Sequence, residues 1–323
     1  MAVLLLSSLF GGSIFQIFSC FNYLVLWLWM SFNLIFLMIL SIFMLNVKVL
    51  ISESLMLYFI VQSISSLLFL IFSQTSFVEV PFLFFMIFLW KSGMAPLQNW
   101  FVKSSKMANW KLFLIFLTFQ KIYPLWFLVC FFVEVPFLFF WSYLMGVIIF
   151  LLLVNVLVSC LAPLISFNLM DILIYSSFSY GVWLSLSPCI GKNFFLEFYL
   201  FYFLLIFYLL KNYFLKENFL MNKSYFLSPK NFLFLMFLSG FPVSLIFFMK
   251  IKVLYFLVLT KLFFFFITLM ILNSVGYYNY FKMALMEMLF LWSSMKNWKK
   301  KNSLVLYEFT GLILVMPAFV WGS

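Results

Sequence analysis

The chain has 323 residues, of which 67% are hydrophobic, 24% aromatic and 8% charged, with no histidine and a formal charge of +11. Against about 25% charged residues in soluble domains, so few exclude a water-soluble globule and point to a single domain lying in the bilayer. The lysine excess does not indicate nucleic acid, because the lysines stand mostly in loops between apolar runs, where membrane topology accounts for them.

A helix needs about 20 apolar residues to cross ~30 Å of hydrocarbon, and the apolar runs, bounded by Lys, Asn, Ser, Pro or Gly, predict about eleven such spans. They fall near 3–21, 24–46, 54–74, 79–102, 112–132, 135–159, 165–188, 194–215, 231–257, 262–281 and 304–321. The runs are continuous rather than alternating over ten residues, which excludes a β-barrel and gives an all-α polytopic membrane protein. At the start, MAVLLLSSLFGG has no basic region ahead of its apolar stretch, so it reads as a first span rather than a secretory leader. Cys20, Cys130, Cys160 and Cys189 lie scattered in apolar runs without paired spacing. They read as small packing residues, and with histidine absent no metal centre is expected.

Assigning the loops alternately to two sides collects Lys48, Lys103, Lys106, Lys111, Lys211, Lys216, Lys223, Lys230, Lys282, Lys296, Lys299, Lys300 and Lys301 on one face, against Lys192 and Lys261 on the other. The positive-inside rule makes the lysine-rich face the matrix or cytoplasmic one, with the N-terminus inside and the C-terminus outside. Every basic residue is lysine, and Phe, Leu, Ile, Met, Tyr and Asn are abundant. These residues have mostly A/T-rich codons, as in a compositionally biased organelle genome. The stretch FVEVPFLFF occurs at 77–85 and again at 132–140. Both copies enter the membrane from the same side, and Glu79 and Glu134 read as outer-interface residues within a local duplication, the alternative being a proton site.

Four lysines remain inside spans: Lys91, Lys121, Lys250 and Lys252. An ionisable residue at membrane depth must face a protein interior or a hydrated cavity, unless it snorkels from a helix end. Lys91 and Lys121 are mid-run, too deep to snorkel. Lys91 lies near Pro96 in FLWKSGMAPLQNW, and Lys250 follows Pro242 in LSGFPVSLIFFMK, so two helix breaks are expected beside lysines. A break frees backbone groups that recruit water, and burial disfavours the ammonium form, so such a lysine can take up and release protons. Lys252 has no such context and reads as a companion.

These residues carry a resemblance. KSGMAPLQNW (91–100), followed by LTFQKIYPL (117–125), resembles the Lys-x-Gly-x-Ala-Pro-Phe-His-x-Trp and Thr-Trp-Gln-Lys-Ile-x-Pro-Leu motifs of the NADH dehydrogenase subunit 2 family, antiporter-like membrane subunits of mitochondrial complex I. ESLMLYFIVQ (53–62), IYSSFSYGVW (174–183) and SGFPVSLIFFMK (239–250) are similar to further motifs, so the resemblance spans about 29–282. It implies two inverted five-helix bundles, about 24–159 and 165–281, each with one broken helix, then a C-terminal span at 304–321. It also implies a row of buried lysines, Lys91, Lys121 and Lys250, that translocate protons.

The chain departs from the pattern at several places. The family's glutamate is Asn33, its Lys-Tyr-Phe lysine is Leu57, its histidine is Gln98, its Arg-Lys pair is Met170 and Asp171, and one proline is Val243. Joint loss of the acid and base at Asn33 and Leu57 is understandable if the two form one buried pair, since removing both partners costs less than stranding one. The counter-charge is then expected from Asp171 or from an acid on a neighbouring subunit, the alternative for Asp171 being an interfacial carboxylate that serves no proton path. The function expected is a membrane-arm subunit of proton-pumping NADH:ubiquinone oxidoreductase, with other complex I subunits and the bilayer as partners. NADH, FMN, iron–sulfur clusters and ubiquinone are expected in the rest of the complex and not in this chain, which has no Gly-rich nucleotide loop after a strand and no cysteine cluster. The alternatives are a stand-alone multisubunit cation/proton antiporter and a scaffold whose proton path has decayed.

Overall fold

The structure is a computed structural model that describes residues 7–13, 16, 23–45, 49–73, 80–106, 110–134, 145–165, 169–214, 229–241 and 244–294. Its helices are α1 (Tyr23–Leu45), α2 (Val49–Ser73), α3 (Val80–Ser92), α4 (Asn99–Lys106), α5 (Trp110–Leu117), α6 (Phe119–Glu134), α7 (Met145–Ile165), α8 (Leu169–Leu186), α9 (Lys192–Phe214), α10 (Pro229–Ser239), α11 (Leu245–Leu259) and α12 (Phe263–Ser294), with a 3₁₀ turn at Ser187–Cys189. No strand occurs among the described residues, and the all-α expectation holds.

Among the described residues four segments are long and apolar enough to cross a membrane unbroken: Leu24–Phe43, Glu53–Ser73, Gly146–Ile165 and Lys192–Lys211. Three further predicted spans arrive in two pieces, as α3 with α4, α5 with α6, and α10 with α11. The spans 3–21 and 304–321, Glu79, Pro242 and the second repeat copy beyond residue 134 fall wholly or largely outside the described residues.

The breaks have local causes. Gly93 ends α3 at φ +69°, its N–H reaching the Trp90 carbonyl at 3.1 Å while the Met94 N–H reaches Leu89 at 2.9 Å. That pair of bonds is a Schellman cap, which requires a left-handed residue and so suits glycine. Pro96 then prevents the helix from resuming at once, since it lacks an N–H and disfavours helical geometry at Ala95. Gly240, at φ +85°, ends α10 with the same two bonds, to Phe237 at 3.1 Å and from Phe241 to Met236 at 3.2 Å. Ser244 restarts the chain as the N-cap of α11, its hydroxyl accepting from Phe247 N–H.

One break was not expected. The predicted span 112–132 is interrupted at Thr118, whose hydroxyl and N–H both bond the Leu114 carbonyl, at 2.7 and 3.0 Å. Pro124, inside α6, offers no N–H to the Gln120 carbonyl, which loosens the turn just ahead of Lys121. Helix α12 also runs to Ser294 rather than ending near 281. Hydropathy falls at Lys282, but KMALMEMLFLWSS contains neither glycine nor proline, and a helix stops at a breaker, not at a charge.

The chain divides into two compact units, one of Met1–Ser159 with Leu173–Phe195, the other of Cys160–Ile172 with Leu196–Ser323. In the first, α2 packs on α1, α3 and α4, and α3 packs on α6; in the second, α12 packs on α10 and α11. Lipid removes the hydrophobic drive between helices, so packing and polar contacts hold them. Aromatic pairs do much of this in the first unit, including Tyr58 with Phe116 at 5.4 Å and Phe69 with Phe84 at 5.4 Å between ring centroids. Serines inside the spans bond their own helix, as Ser41 does to Met38 and Ser176 to Leu173, so they leave no hydroxyl unsatisfied in an apolar medium.

Candidate functional site

Lys91, Lys121 and Lys250 are only 2%, 1% and 5% exposed. Depth in an apolar run was the signal for Lys91 and Lys121, and the neighbouring helix break for Lys250; all three are interior. Lys252 is half-buried by comparison.

Lys91 occupies the last turn of α3, one residue before the break at Ser92–Gly93 begins. Its ammonium lies 3.1 Å from the thioether of Met30 on α1 and 5.8 Å from the Tyr123 ring centroid on α6. A thioether is a weak acceptor, and among the described residues no carboxylate contacts this lysine. Asn33 is three residues on from Met30, hence on the same face of α1, and is itself buried, with the Ser13 hydroxyl 3.4 Å from its Oδ1. A glutamate at residue 33 would thus point to the neighbourhood of the Lys91 ammonium, and asparagine leaves it without a charge partner from α1.

The backbone freed by the break is satisfied by side chains. Gln62 Nε2 donates to the Lys91 carbonyl at 3.0 Å, Trp100 Nε1 donates to the Trp90 carbonyl at 3.2 Å, and Asn155 Oδ1 accepts the Ala95 N–H at 2.8 Å. Gln62 Oε1 in turn accepts from the Tyr123 hydroxyl at 3.1 Å, while Gln120 Nε2 donates to the Tyr58 hydroxyl. The result is a neutral buried network around the Lys91 end of α3, built from α2 and α6.

Lys121 sits one turn past the Thr118 irregularity. Its ammonium donates to the Ser177 carbonyl at 2.8 Å and to the Ser177 hydroxyl at 2.7 Å, and it lies 4.8 Å from the ring centroids of both Phe101 and Phe178. The two rings pack against each other at 5.5 Å. Two aromatic faces, one carbonyl and one hydroxyl therefore surround the cation, with no carboxylate among its contacts from the described residues. Phe101 comes from α4, the far half of the broken helix, so the helix that carries Lys91 also builds one wall around Lys121.

In the second unit, Lys250 reaches back across its break. Its ammonium donates to the carbonyl of Ser239, the last residue of α10, at 3.1 Å, and to Asn273 Oδ1 on α12 at 3.2 Å, with the Tyr277 ring centroid 5.6 Å away. The C-terminal end of a half-helix carries partial negative charge, so a cation is favoured there. Asn273 is held by its Nδ2, which donates to the Tyr277 hydroxyl at 2.7 Å. A Cβ on Gly240 would lie 3.2 Å from Lys250 Nζ, so glycine serves both the left-handed turn and the space for the lysine.

Not all sequence expectations come together. Leu57 is 38% exposed while Asn33 is 1% exposed, so these positions are not the two halves of one buried pair, and the compensation reading of their joint loss does not hold. Asp171 is buried in the first turn of α8, where a carboxylate suits the positive end of the helix, and it belongs to the second unit, whereas Lys91 and Lys121 belong to the first. Residues that were not singled out as ligands, Ser177, Phe101, Phe178 and Asn273, turn out to touch the lysines. Among the described residues no group of three or more His, Cys, Asp or Glu is placed to hold a metal.

No protein-family model matches the chain. It is similar to NADH-ubiquinone oxidoreductase chain 2 of Artemia franciscana, at 28% identity over 242 residues covering 72% of this chain and 74% of that one. It is also similar to NADH-ubiquinone oxidoreductase chain 2 of Albinaria caerulea, at 28% identity over 309 residues, 92% of this chain and 90% of that one. Among solved structures, a chain of respiratory complex I from Thermus thermophilus with bound aureothin superposes with a TM-score of 0.70 at 16% identity, covering 88% of this chain and 70% of that chain. The family resemblance read from the lysine motifs thus extends along most of the chain, and the fold is shared with a respiratory membrane protein.

Proposed function

We propose that this chain is a core membrane-arm subunit of a proton-pumping NADH:ubiquinone oxidoreductase, in which Lys91, Lys121 and Lys250 carry protons while quinone is reduced elsewhere in the complex. The observation that supports this best is the surroundings of Lys121: a buried ammonium held by neutral groups that suit both of its protonation states. When charged, it donates to Ser177 and lies between two aromatic faces, and the Ser177 hydroxyl donates to the Ile174 carbonyl at 2.6 Å. When neutral, its amine accepts from the same hydroxyl after that hydroxyl rotates. Among the described residues no fixed carboxylate locks the cation in place, so a change in the charge of a neighbour shifts the balance between the two states.

Lys91 and Lys250 sit at helix breaks with polar backbone nearby, the arrangement by which transporters admit ions and water at mid-membrane. Because Asn33 is neutral, α1 supplies no counter-charge for Lys91, and an acid on a neighbouring subunit takes that part. The redox groups, FMN and iron–sulfur clusters, and the NADH and ubiquinone sites belong to other chains. The chain lies in the mitochondrial inner membrane, N-terminus to the matrix and C-terminus to the intermembrane space, among other membrane-arm and accessory subunits.

Gentle detergent extraction tests the assignment against a stand-alone antiporter. The chain is expected to co-purify with flavin- and iron–sulfur-containing subunits and with NADH-dependent quinone reduction. Isolation with antiporter-type membrane subunits alone, free of redox subunits, contradicts it.

A further inference from the structure

Resting on the function proposed above, we infer that Asn155 is a positioning residue that ties the break beside Lys91 to the turn of α8 that holds Lys121. Asn155 is the sole polar residue within the apolar run 147–158 of α7, and it is fully buried. Both ends of its amide are engaged. Oδ1 accepts the Ala95 N–H inside the break at 2.8 Å, and Nδ2 donates to the Phe178 carbonyl on α8 at 3.0 Å.

The next carbonyl back, that of Ser177, accepts from Lys121. Two consecutive carbonyls in the middle of α8 therefore take extra donors, one from the lysine and one from the amide that holds the break. A second contact follows the same route: Met94, also in the break, packs against Gly181 so closely that a Cβ there would come within 1.9 Å of the methionine methyl. The far side of the break supplies Phe101, whose side chain covers Gly93 and whose ring faces the Lys121 ammonium. If the break shifts along α8, the wall formed by Phe101 moves relative to Ser177 and Phe178. Asn155 is the polar contact that fixes that distance. A buried amide satisfied at both ends is directional where apolar packing is not, which is why an asparagine suits this place in an otherwise apolar helix.

The test uses the intact complex in proteoliposomes. Asn155→Leu removes both hydrogen bonds with little change in size, and Asn155→Ser removes the reach needed to span both partners while adding no bulk. Either variant that assembles is expected to keep NADH:quinone electron transfer and to lower the proton-to-electron ratio. Hydrogen exchange of the 93–98 backbone should rise roughly tenfold, the factor that follows loss of one buried hydrogen bond. Lys121→Met measured alongside separates the two levels of the proposal. A lowered ratio in Lys121→Met with an unchanged ratio in an assembled Asn155 variant overturns the positioning role and leaves the proposed function standing. An unchanged ratio in Lys121→Met overturns the function and the role with it.

Discussion

Gly93 shows how tightly single positions are specified around the lysines. At φ +69°, with Phe101 side-chain atoms 2.6 to 2.8 Å from where a Cβ would stand, it tolerates no side chain. Gly93→Ala combines about 1–2 kcal/mol of left-handed strain with about 1–3 kcal/mol of overpacking, and displaces a wall of the Lys121 surroundings. Less assembled complex on native gels and a lower thermal midpoint are expected; wild-type values for both contradict this. The lysines themselves were legible in the sequence because charge at mid-span has few explanations in lipid. Their partners were not. Ser177, Phe101 and Asn273 are ordinary residues by composition, and their importance comes from which helices pack together. Leu57 misled for the same reason: the joint loss of an acid and a base suggested one buried pair with Asn33, but a motif position says nothing of burial, and Leu57 is exposed.

At the scale of helices, the sequence showed two breaks through Gly–x–x–Pro and Gly–x–Pro patterns, and both Gly93 and Gly240 end their helices with Schellman caps. The break at Thr118 was hidden because a threonine in a run that remains apolar is no breaker by composition, and the nearest proline, Pro124, lies six residues downstream. The end of α11 repeats the Schellman pattern with a less suitable residue. Lys261 adopts φ +61°, with its N–H on Val258 at 3.0 Å and the Leu262 N–H on Leu257 at 3.1 Å. Lysine in this conformation costs about 1 kcal/mol relative to glycine. Lys261→Gly is therefore expected to raise the thermal midpoint of the complex slightly without altering catalysis, as differential scanning fluorimetry with an activity assay would show. A lowered midpoint would mean that the lysine contributes more than its backbone strain costs.

For the whole molecule, the proposed orientation and the lysine asymmetry predict that residues 215–228 and 295–303 face the matrix. Protease added to mitochondria stripped of their outer membrane should leave both intact, and cleavage there contradicts the orientation. Class and approximate span order were readable because lipid imposes one constraint on every segment: backbone polar groups must be satisfied within it. The division into two compact units was harder to see, since Cys160–Ile172 belongs with the C-terminal unit and Leu173–Phe195 with the N-terminal one, a crossing that no local signal marks. The central claim is that a lysine held by neutral groups carries protons through this chain, and Lys121→Met tests it most directly. Methionine fills the space of the lysine without a titratable group, so the complex should assemble and reduce quinone while its proton-to-electron ratio falls. An assembled Lys121→Met complex that pumps at the wild-type ratio would contradict the account.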